Sequence, residues 1–522
     1  MTNPLVLTID LGTQSARIML VSQTGDILHE VKHKFEEPYY SQYPGWAEQK
    51  PEVYWDSICE IAKRIKEEAA EKWRDIIAVT VTTIRDTCVC VDSEGKPLRD
   101  VIVWLDKREC EALKPLPLLS RLLFRLAGMT DTVNLQRRIS ACNWIMENQP
   151  DIWEKTHKFM MISGYLTYQL TGRMVDSVAN MIGHIPLNSK TRNWMGKHEL
   201  TRCVFDIEQE KLTELVEPGD VLGEITAEAA RQTGIPEGLP LIATGSDKGC
   251  ETLGLSCVTP DRAAIGLGTT ATIQFTIGRY MEPLPFIPAY PAVLKNHYNP
   301  EVQVYRGYWL ISWFKKEFAA NEVRQAQEMG VSAEELLNTR LSEIPAGCEG
   351  LVLQPYFTPG VVMPKARGAA IGLSDAHTRI HLYRAIIEGI NFALIDGLNT
   401  MQRRGKVKIN KLFVAGGGSQ SNEICRITAN MFGLPVYRIQ TYEAAGLGSS
   451  IVAFAAKGVY ADIRQAVEAM VHVKDEFLPD MKEHEKYQAI FNEVFMKIFG
   501  RLLPLYKKNE RIERRQTDVA SV

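Results

Sequence analysis

Three short turns combine glycine with hydroxyl side chains, a composition suited to binding phosphate. The first, residues 10–15, reads Asp-Leu-Gly-Thr-Gln-Ser between two strand-like segments. Glycine permits a tight turn in which backbone N–H groups approach phosphate oxygens, and the hydroxyls add donors. The carboxylate of Asp10 could hold Mg²⁺ through water, and the fixed charge of Arg17 could reach a phosphate. In isolation, an ordinary β-turn is the alternative interpretation.

The second turn, residues 266–271, reads Gly-Leu-Gly-Thr-Thr-Ala and formally matches the dinucleotide fingerprint G-x-G-x-x-G/A. That fingerprint requires a helix directly after the glycines, whereas residues 271–276 alternate like a strand. We therefore reject a dinucleotide site and predict a second phosphate-binding turn.

The third turn, residues 416–419, reads Gly-Gly-Gly-Ser where a strand runs into a helix. The free N–H groups and positive dipole of a helix start favour an anion. The glycines also leave room for a flat base against the backbone, although a flexible loop remains the alternative interpretation.

A single carboxylate, Asp247, stands between small residues in the segment Gly-Ser-Asp-Lys-Gly, directly after the strand-like residues 241–243. Phosphoryl transfer to an alcohol needs a base for the hydroxyl proton, a metal ion and donors around the γ-phosphate. Asp247 has the accessibility expected of such a base. The alternative is an aspartate in a surface turn.

A separate polar group follows two other strand-like segments. Arg85 and Asp86 come after residues 79–83, and Trp104 and Asp106 come after residues 101–103. Arg and Asp side chains can hold neighbouring hydroxyls by charge-assisted hydrogen bonds, and an indole can pack on the C–H face of a carbohydrate. A surface ion pair and a partly buried Trp are the alternatives.

The elements that must position these residues follow the same order in each half of the chain. Residues 5–31 predict three strands joined by short turns, which must be antiparallel neighbours. A helix that begins at Pro51 follows, and then strands at 76–81, 88–91 and 101–103 of one mixed sheet. Strands at 263–267, 271–277 and 411–415 repeat the pattern. We predict an α/β fold of two related domains, residues 1–251 and 252–522, with a cleft between them.

Composition excludes several classes of protein. A length of 522 residues is too great for one core, and a formal net charge of −3 with a pI near 6.4 offers no basic field for nucleic acid. No segment approaches the roughly 18 apolar residues of a membrane helix, and the N-terminus shows no signal-peptide pattern. The ten cysteines show no zinc-site spacing. We therefore expect a cytoplasmic protein that binds neither nucleic acid nor membranes.

Taken together and in this order, these segments resemble the FGGY family of carbohydrate kinases over roughly residues 4 to 460. The segments that carry the resemblance are residues 10–17, Gly45-Trp46-Ala47-Glu48-Gln49 with Pro51 and Trp55, Asp247 with its neighbours, Gly268-Thr269-Thr270, Ala366-Arg367-Gly368 with Gly372-Leu373, Arg384-Ala385 with Glu388-Gly389, and Gly416-Gly417-Gly418-Ser419 with Asn422.

The resemblance implies two actin-like domains of the ribonuclease H type, with mixed sheets and an interdomain active-site cleft for ATP, Mg²⁺ and a sugar. It implies that Asp247 is the base and Asp10 the metal ligand. The implied nucleotide-binding residues are Thr13, Gln14, Ser15, Arg17, Gly268, Thr269, Gly417, Gly418, Ser419 and Asn422. The implied acceptor-binding residues are Arg85, Asp86, Trp104, Asp106 and Asp247.

The acceptor itself is left open. Xylulokinases carry a Met-His-Gly type motif where this chain has Ile84-Arg85-Asp86, and glycerol kinases carry Arg-Glu followed by Thr, where this chain has Arg85-Asp86-Thr87. Because Arg85 and Asp86 balance each other while Asp106 and Asp247 are acidic, we expect a small neutral sugar or polyol rather than a sugar acid. An actin-like ATPase switch and a catalytically silent sugar sensor remain as alternatives, and a homodimer is left open.

Overall fold

The computed structural model describes residues 3–111, 114–284, 287–360 and 363–520, with side chains as far as residue 513. Its first half alternates short strands and helices. The strands are β1 (Leu5–Leu11), β2 (Ser15–Ser22), β3 (Ile27–Lys34), β4 (Glu48–Gln49), β5 (Ile76–Thr83), β6 (Cys88–Val91), β7 (Val101–Ile102), β8 (Lys158–Met161), β9 (Val175–Ser177), β10 (Leu187–Asn188), β11 (Asn193–Trp194), β12 (Glu214–Val216), β13 (Val221–Glu224) and β14 (Pro240–Ile242). The helices are α1 (Pro51–Glu68), α2 (Leu118–Leu126), α3 (Thr130–Ile139), α4 (Ala141–Asn148), α5 (Pro150–Lys155), α6 (Ile162–Thr171), α7 (Ala227–Thr233) and α8 (Asp247–Gly254).

The second half has fewer strands and longer helices. The strands are β15 (Arg262–Leu267), β16 (Ala271–Gln274), β17 (Tyr290–Pro291), β18 (Tyr298–Asn299), β19 (Glu301–Val304), β20 (Val352–Pro355), β21 (Gly368–Ile371), β22 (Lys411–Ala415), β23 (Val436–Ile439) and β24 (Val473–Phe477). The helices are α9 (Trp309–Phe318), α10 (Ala320–Met329), α11 (Ala333–Thr339), α12 (Arg379–Gly405), α13 (Asn422–Phe432), α14 (Ala444–Ala456), α15 (Ile463–Met470), α16 (Met481–Ile490) and α17 (Met496–Ala520).

Each half contains a six-stranded mixed sheet, and the first five strands of the two sheets have the same order and directions. The first sheet runs β3-β2-β1-β5-β14-β13 and the second β19-β16-β15-β22-β23-β24. The sixth strand is connected differently, since β13 precedes its neighbour β14 in the chain whereas β24 follows β23. In both sheets the first three strands are antiparallel to one another. The third, fourth and fifth strands are parallel, and the sixth is antiparallel to the fifth. This confirms the predicted α/β fold of two related halves. The exact boundary at residue 251, which falls inside α8, stays a prediction.

Strand β1 is buried along its whole length because helices cover both faces of its sheet. Leu5 and its alternate neighbours pack in a cluster with Ile58 and Ile61 of the predicted helix α1. On the opposite face, the hydroxyl of Thr8 lies 2.7 Å from that of Ser450 in α14. Because side chains alternate between the two faces of a strand, Asp10 near the end of β1 points to the same face as Thr8. It therefore faces the space between the two sheets.

Helices α8 and α14 lie against each other between the sheets, in a buried cluster that draws side chains from both. Two glycines allow this approach. A Cβ at Gly254 would lie 2.0 Å from the carbonyl oxygen of Ala444, and one at Gly448 would lie 1.9 Å from that of Cys250. The start of α8 is thereby fixed relative to both sheets.

The prediction that residues 88–91 and 101–103 extend the main sheet is wrong. These residues form β6 and β7, but in a separate sheet of order β4-β7-β6-β8. The chain turns at Asp86, whose φ is 51°, and β6 then pairs with β7 and β8 rather than with β5.

Candidate active site

Asp247 is the first residue of α8, just after the carboxyl end of β14. Ser246 caps the helix by accepting a hydrogen bond of 3.4 Å from the N–H of Gly249. Gly245 is required before it, because a Cβ there would lie 2.7 Å from Cγ2 of Val293. The carboxylate of Asp247 therefore stands at a helix N-terminus, which favours negative charge. Sequence reasoning found the strand but not this helix.

Asp10 and Arg17 lie opposite each other on the antiparallel strands β1 and β2. Nη1 of Arg17 donates to Oδ2 of Asp10 and to Oε2 of Glu443, each at 2.9 Å. Burial raises the pKa of the Asp10 carboxyl to about 7 against the opposing charge of Arg17, and the charges of Glu443 and Asp247 add to the rise. The guanidinium that was expected at a phosphate is thus engaged with two carboxylates.

This corner of the molecule has an excess of negative charge, because Asp10, Glu443 and Asp247 outnumber Arg17. A hydrated divalent cation fits such a donor set, since Mg²⁺ prefers carboxylate oxygens and keeps several waters. Within the described ranges, no three acidic, His or Cys side chains converge into a metal-binding group.

The first turn that was predicted to bind phosphate is tied to the loop that follows β7. Nε1 of Trp104 donates a 2.9 Å hydrogen bond to Oγ1 of Thr13. Gln14 is exposed, Ser15 begins β2 and is buried, and the N–H of Gly12 closes the turn on the carbonyl of Ser15 at 2.9 Å.

The second and third turns meet because β15 and β22 are parallel neighbours whose carboxyl ends share an edge. A Cβ at Gly416 would lie 2.9 Å from the carbonyl carbon of Leu267, and one at Gly418 would lie 2.5 Å from Cε1 of Tyr308. The side chain of Thr269, in contrast, is exposed, while Gly268 accepts from the N–H of Tyr308 at 3.0 Å.

The third turn is held by its own side chains. Oγ of Ser419, fully buried, donates to the carbonyl of Gly416 at 2.7 Å. Arg438, which sequence reasoning missed, donates to the carbonyl of Ser419 at 2.9 Å and to Oδ1 of Asn422 at 2.8 Å. Ser419 and Asn422 therefore shape the turn, and Gly417 is the exposed residue in it, with open space where a Cβ would be.

Lys248 links the start of α8 to the second sheet. If residue 266 carried a Cβ atom, that atom would lie 2.8 Å from Nζ of Lys248. The ammonium group therefore lies close to the end of β15. The ammonium pairs with both carboxylate oxygens of Glu251, at 2.9 and 3.1 Å. The first two residues of α8 thus lie near different sheets: Asp247 follows β14 of the first sheet, and Lys248 approaches Gly266 of the second.

Arg85 pairs with Glu301 of the second half rather than with its neighbour Asp86. Two hydrogen bonds of 3.1 Å join its guanidinium to the two oxygens of that carboxylate. Burial opposes the charge of Arg85, but Glu301 and then Asp247 outweigh this effect and raise its pKa. The charge of Asp247 thus contributes to the raised pKa of both Asp10 and Arg85. The parallel neighbours β1, β5 and β14 bring these three residues to one edge of the first sheet.

Asp86 is held by His184, which sequence reasoning also missed. Oδ2 of Asp86 lies 2.7 Å from Nδ1 of His184, and Oδ1 accepts from the N–H of the same residue at 2.9 Å. Nε2 of His184 lies 3.1 Å from Oε1 of Gln136 on α3. Gly183 is required at this point, since a Cβ there would lie 2.3 Å from Oδ1 of Asp86.

The carboxylate of Asp106 has other partners. It accepts from the N–H of Ala47 at 2.6 Å and from the N–H, Nε and Nη2 of Arg108, each at 2.8 Å. Arg108 in turn donates to Glu48 at 2.9 Å and lies over Trp46. The carboxylate oxygens of Asp106 thus have hydrogen-bond donors within a buried network, and this network supports the loop that carries Trp104.

In the part of the chain that the structure describes, no helix combines the length and apolar character needed to cross a bilayer. The ten cysteines are all free thiols.

Comparisons with known proteins match the whole architecture. Residues 5–254 match the family model for the N-terminal domain of the FGGY family of carbohydrate kinases, and residues 263–457 match that for its C-terminal domain. A xylulose kinase of Lactococcus lactis is 27% identical over 93% of this chain and 95% of its own length. An uncharacterised sugar kinase of Escherichia coli is 26% identical over 98% of this chain and 96% of its own. Among solved structures, a gluconate kinase from Lactobacillus acidophilus superposes with a TM-score of 0.81 at 21% identity, over 97% of this chain and 99% of that one.

Proposed function

Because the chain belongs to the FGGY family of carbohydrate kinases, it is a sugar or polyol kinase, and we propose that Asp247 is the general base of the phosphoryl transfer. ATP is the phosphoryl donor that the family implies. In this reaction the acceptor hydroxyl loses its proton to the Asp247 carboxylate, its oxygen bonds to the γ-phosphorus, and ADP leaves.

The observation that carries this proposal is the position of Asp247 at the N-terminus of α8, on the sheet edge where the parallel strands of Asp10 and Arg85 also end. Its charge raises the pKa of Asp10 on the phosphate side and that of Arg85 on the acceptor side. A base must be within reach of the acceptor proton and close to the transferred phosphoryl group. Asp247 is the carboxylate that acts on both sides.

The phosphate side would hold the nucleotide through backbone groups. The N–H groups of the turns around Thr13 and Thr269 suit the β- and γ-phosphates, and the open surface of Gly417 suits the nucleoside. Ser419 and Asn422, which we place beside the nucleoside, also support that turn, because Ser419 donates to Gly416 and Oδ1 of Asn422 accepts from Arg438.

Asp10 would hold Mg²⁺ through water, with Glu443 and Arg17 adjusting its charge. When bound with ATP, the ion neutralises charge on the phosphoryl oxygens. Occupation of this corner by a cation would also favour the ionised form of Asp10, which burial alone disfavours.

The acceptor would lie among Arg85, Asp86 and Trp104, with Asp247 at its reactive hydroxyl. We propose a small neutral sugar or polyol, because the cations on this side already pair with carboxylates of the protein. Asp106 acts here indirectly, by supporting the loop that carries Trp104.

A screen of ADP release over polyols, ketoses and aldoses of three to seven carbons, with MgATP, tests the proposal. Release that depends on one acceptor, together with a phosphorylated product of the expected mass, supports the kinase. ADP release that is equal with and without every acceptor contradicts it and would indicate an ATPase.

A further inference from the structure

We propose that Glu301 is a specificity-determining residue that makes the cleft reject acceptors carrying a carboxylate. It does so by occupying the guanidinium of Arg85, the group that a sugar acid would need as its partner. This inference rests on the proposed function and deepens it, since it names the residue that separates neutral sugars from sugar acids.

The pair joins the two halves of the molecule. Arg85 follows β5 of the first sheet, and Glu301 begins β19 at the edge of the second. The two parallel hydrogen bonds, each 3.1 Å long, give the fork-to-fork geometry in which a guanidinium holds a carboxylate most firmly. The guanidinium also lies over the ring of Tyr290, 5.6 Å from its centre.

Both partners are withdrawn from water. The exposed fraction of the side chain is 16% for Arg85 and 1% for Glu301. A carboxylate this deeply buried is tolerated only while it is paired and hydrogen-bonded. An acceptor that took Arg85 for its own carboxylate would leave Glu301 buried with its charge uncompensated.

The other cations near this site are also engaged. Lys248 pairs with Glu251, and His184 pairs with Asp86. The pKa of the Tyr305 hydroxyl is raised by burial and by the charges of Glu301 and Asp86, against the opposing effect of Arg85. A carboxylate that approached Arg85 would therefore meet the negative charge of Glu301, which is paired with it, and the charges of Asp86 and Asp247.

Neutral hydroxyl groups face no such obstacle. They can donate to carboxylate oxygens or accept from the outer N–H groups of Arg85 while the Arg85–Glu301 pair stays intact. A pocket selects between two ligands by opposing one as much as by fitting the other. Glu301 supplies the opposing charge.

Replacing Glu301 with glutamine tests this directly, because the side chain keeps its shape and loses its charge. Gluconate serves as the carboxylate probe, and the best neutral acceptor of the screen serves as its reference. We expect wild-type protein to favour the neutral acceptor in kcat/KM by about 100-fold or more, and Glu301→Gln to reduce that ratio on the order of tenfold or more, mainly through the KM for gluconate. Calorimetry should show tighter gluconate binding to Glu301→Gln than to wild type, without any turnover.

A matched control is Glu322→Gln. Glu322 is also buried and accepts a 3.0 Å hydrogen bond from Nε of Arg379, but it lies on α10 outside the cleft, so the acceptor ratio should not change. If Glu301→Gln fails to fold, Glu301→Asp withdraws the carboxylate by one methylene and should shift the ratio in the same direction by a smaller factor. The double variant Arg85→Gln/Glu301→Gln should bind gluconate no better than wild type.

An unchanged ratio and unchanged gluconate affinity in folded Glu301→Gln that still binds ATP would overturn the inference. So would a wild-type preference for gluconate, which would leave the kinase assignment standing. If wild type phosphorylates no acceptor at all, the proposed function fails, and the calorimetric comparison still decides the role of Glu301.

Discussion

The indole nitrogen of Trp104 donates a 2.9 Å hydrogen bond to the hydroxyl of Thr13. This contact joins the loop after β7, which we propose lines the acceptor site, to the first of the turns that we propose bind phosphate. The backbone N–H of Trp104 also donates to Oγ1 of Thr87 at 3.3 Å, so the loop is held at both its backbone and its side chain. If the two proposed sites are correct, this contact connects acceptor binding to phosphate binding.

Trp104→Phe should separate the packing of this residue from its hydrogen bond. The phenyl ring keeps an aromatic surface but cannot donate to Thr13. Since a neutral hydrogen bond contributes about 0.5–1.5 kcal/mol, we expect kcat/KM for MgATP to fall roughly 2- to 10-fold. Steady-state kinetics with varied ATP measures this, and an unchanged value would show that the contact does not position the turn.

Asp86→Ala should weaken the acceptor side. Removing this carboxylate deprives His184 of its partner and removes a hydrogen-bond acceptor for a sugar hydroxyl. We expect kcat/KM for the acceptor to fall on the order of 100-fold, a loss near 3 kcal/mol, while the KM for ATP moves far less. An unchanged acceptor kcat/KM would remove Asp86 from the pocket and leave the kinase assignment in place.

The pairing of Asp86 with His184 should also appear in the pH dependence of stability. Burial opposes protonation of His184, but the charge of Asp86 outweighs it and raises the pKa of the imidazole above its usual 6.5. A folded-state pKa above the unfolded value gives stability that is fully present below the unfolded pKa and is lost as pH rises through the folded pKa. His184→Gln should therefore cost most in the free energy of unfolding near pH 5.5 and progressively less toward pH 9.

Denaturant unfolding of wild type and His184→Gln at several pH values measures that difference. Asp86→Asn should lower the pKa of His184 in an NMR titration, because the opposing charge is gone. A stability gap that widens as pH rises would contradict this account of the pair.

Chelation should abolish activity reversibly. The acidic corner around Asp10 and Glu443 offers carboxylate oxygens but no set of soft ligands, so the ion should arrive with ATP. Activity lost in EDTA should return with Mg²⁺ or Mn²⁺, whereas full activity after exhaustive chelation would contradict a metal-dependent transfer.

Local patterns predicted the first strands of each main sheet and the helix after the first three strands. The strands β1 and β2 and the helix α1 follow from alternation, turn residues and Pro51, which are all readable within a few residues. The opposition of Asp10 and Arg17 follows from the same antiparallel pairing. The same pattern of strands recurs after residue 262, and this repeat predicted a second domain related to the first.

Long-range partners could not be predicted in this way. Arg85 and Glu301 are separated by 216 positions, and Asp86 and His184 by 98. Nothing in the local sequence of Glu301 indicates that its edge strand meets the end of β5. The helix at Asp247 did have a local signal, the capping Ser246. Asp106 was expected in the pocket, whereas Arg108, two residues later, takes most of its hydrogen-bonding capacity.

The most direct test of the central claim is acceptor-dependent ADP release by wild type and by Asp247→Asn, measured side by side with the best acceptor of the screen. If Asp247 is the base, the variant should lose roughly 10²- to 10⁴-fold in kcat, and its affinity for MgATP should hardly change. Intact folding is checked by its unfolding transition. Turnover of the folded variant near the wild-type rate would contradict the assignment of Asp247 as the catalytic base.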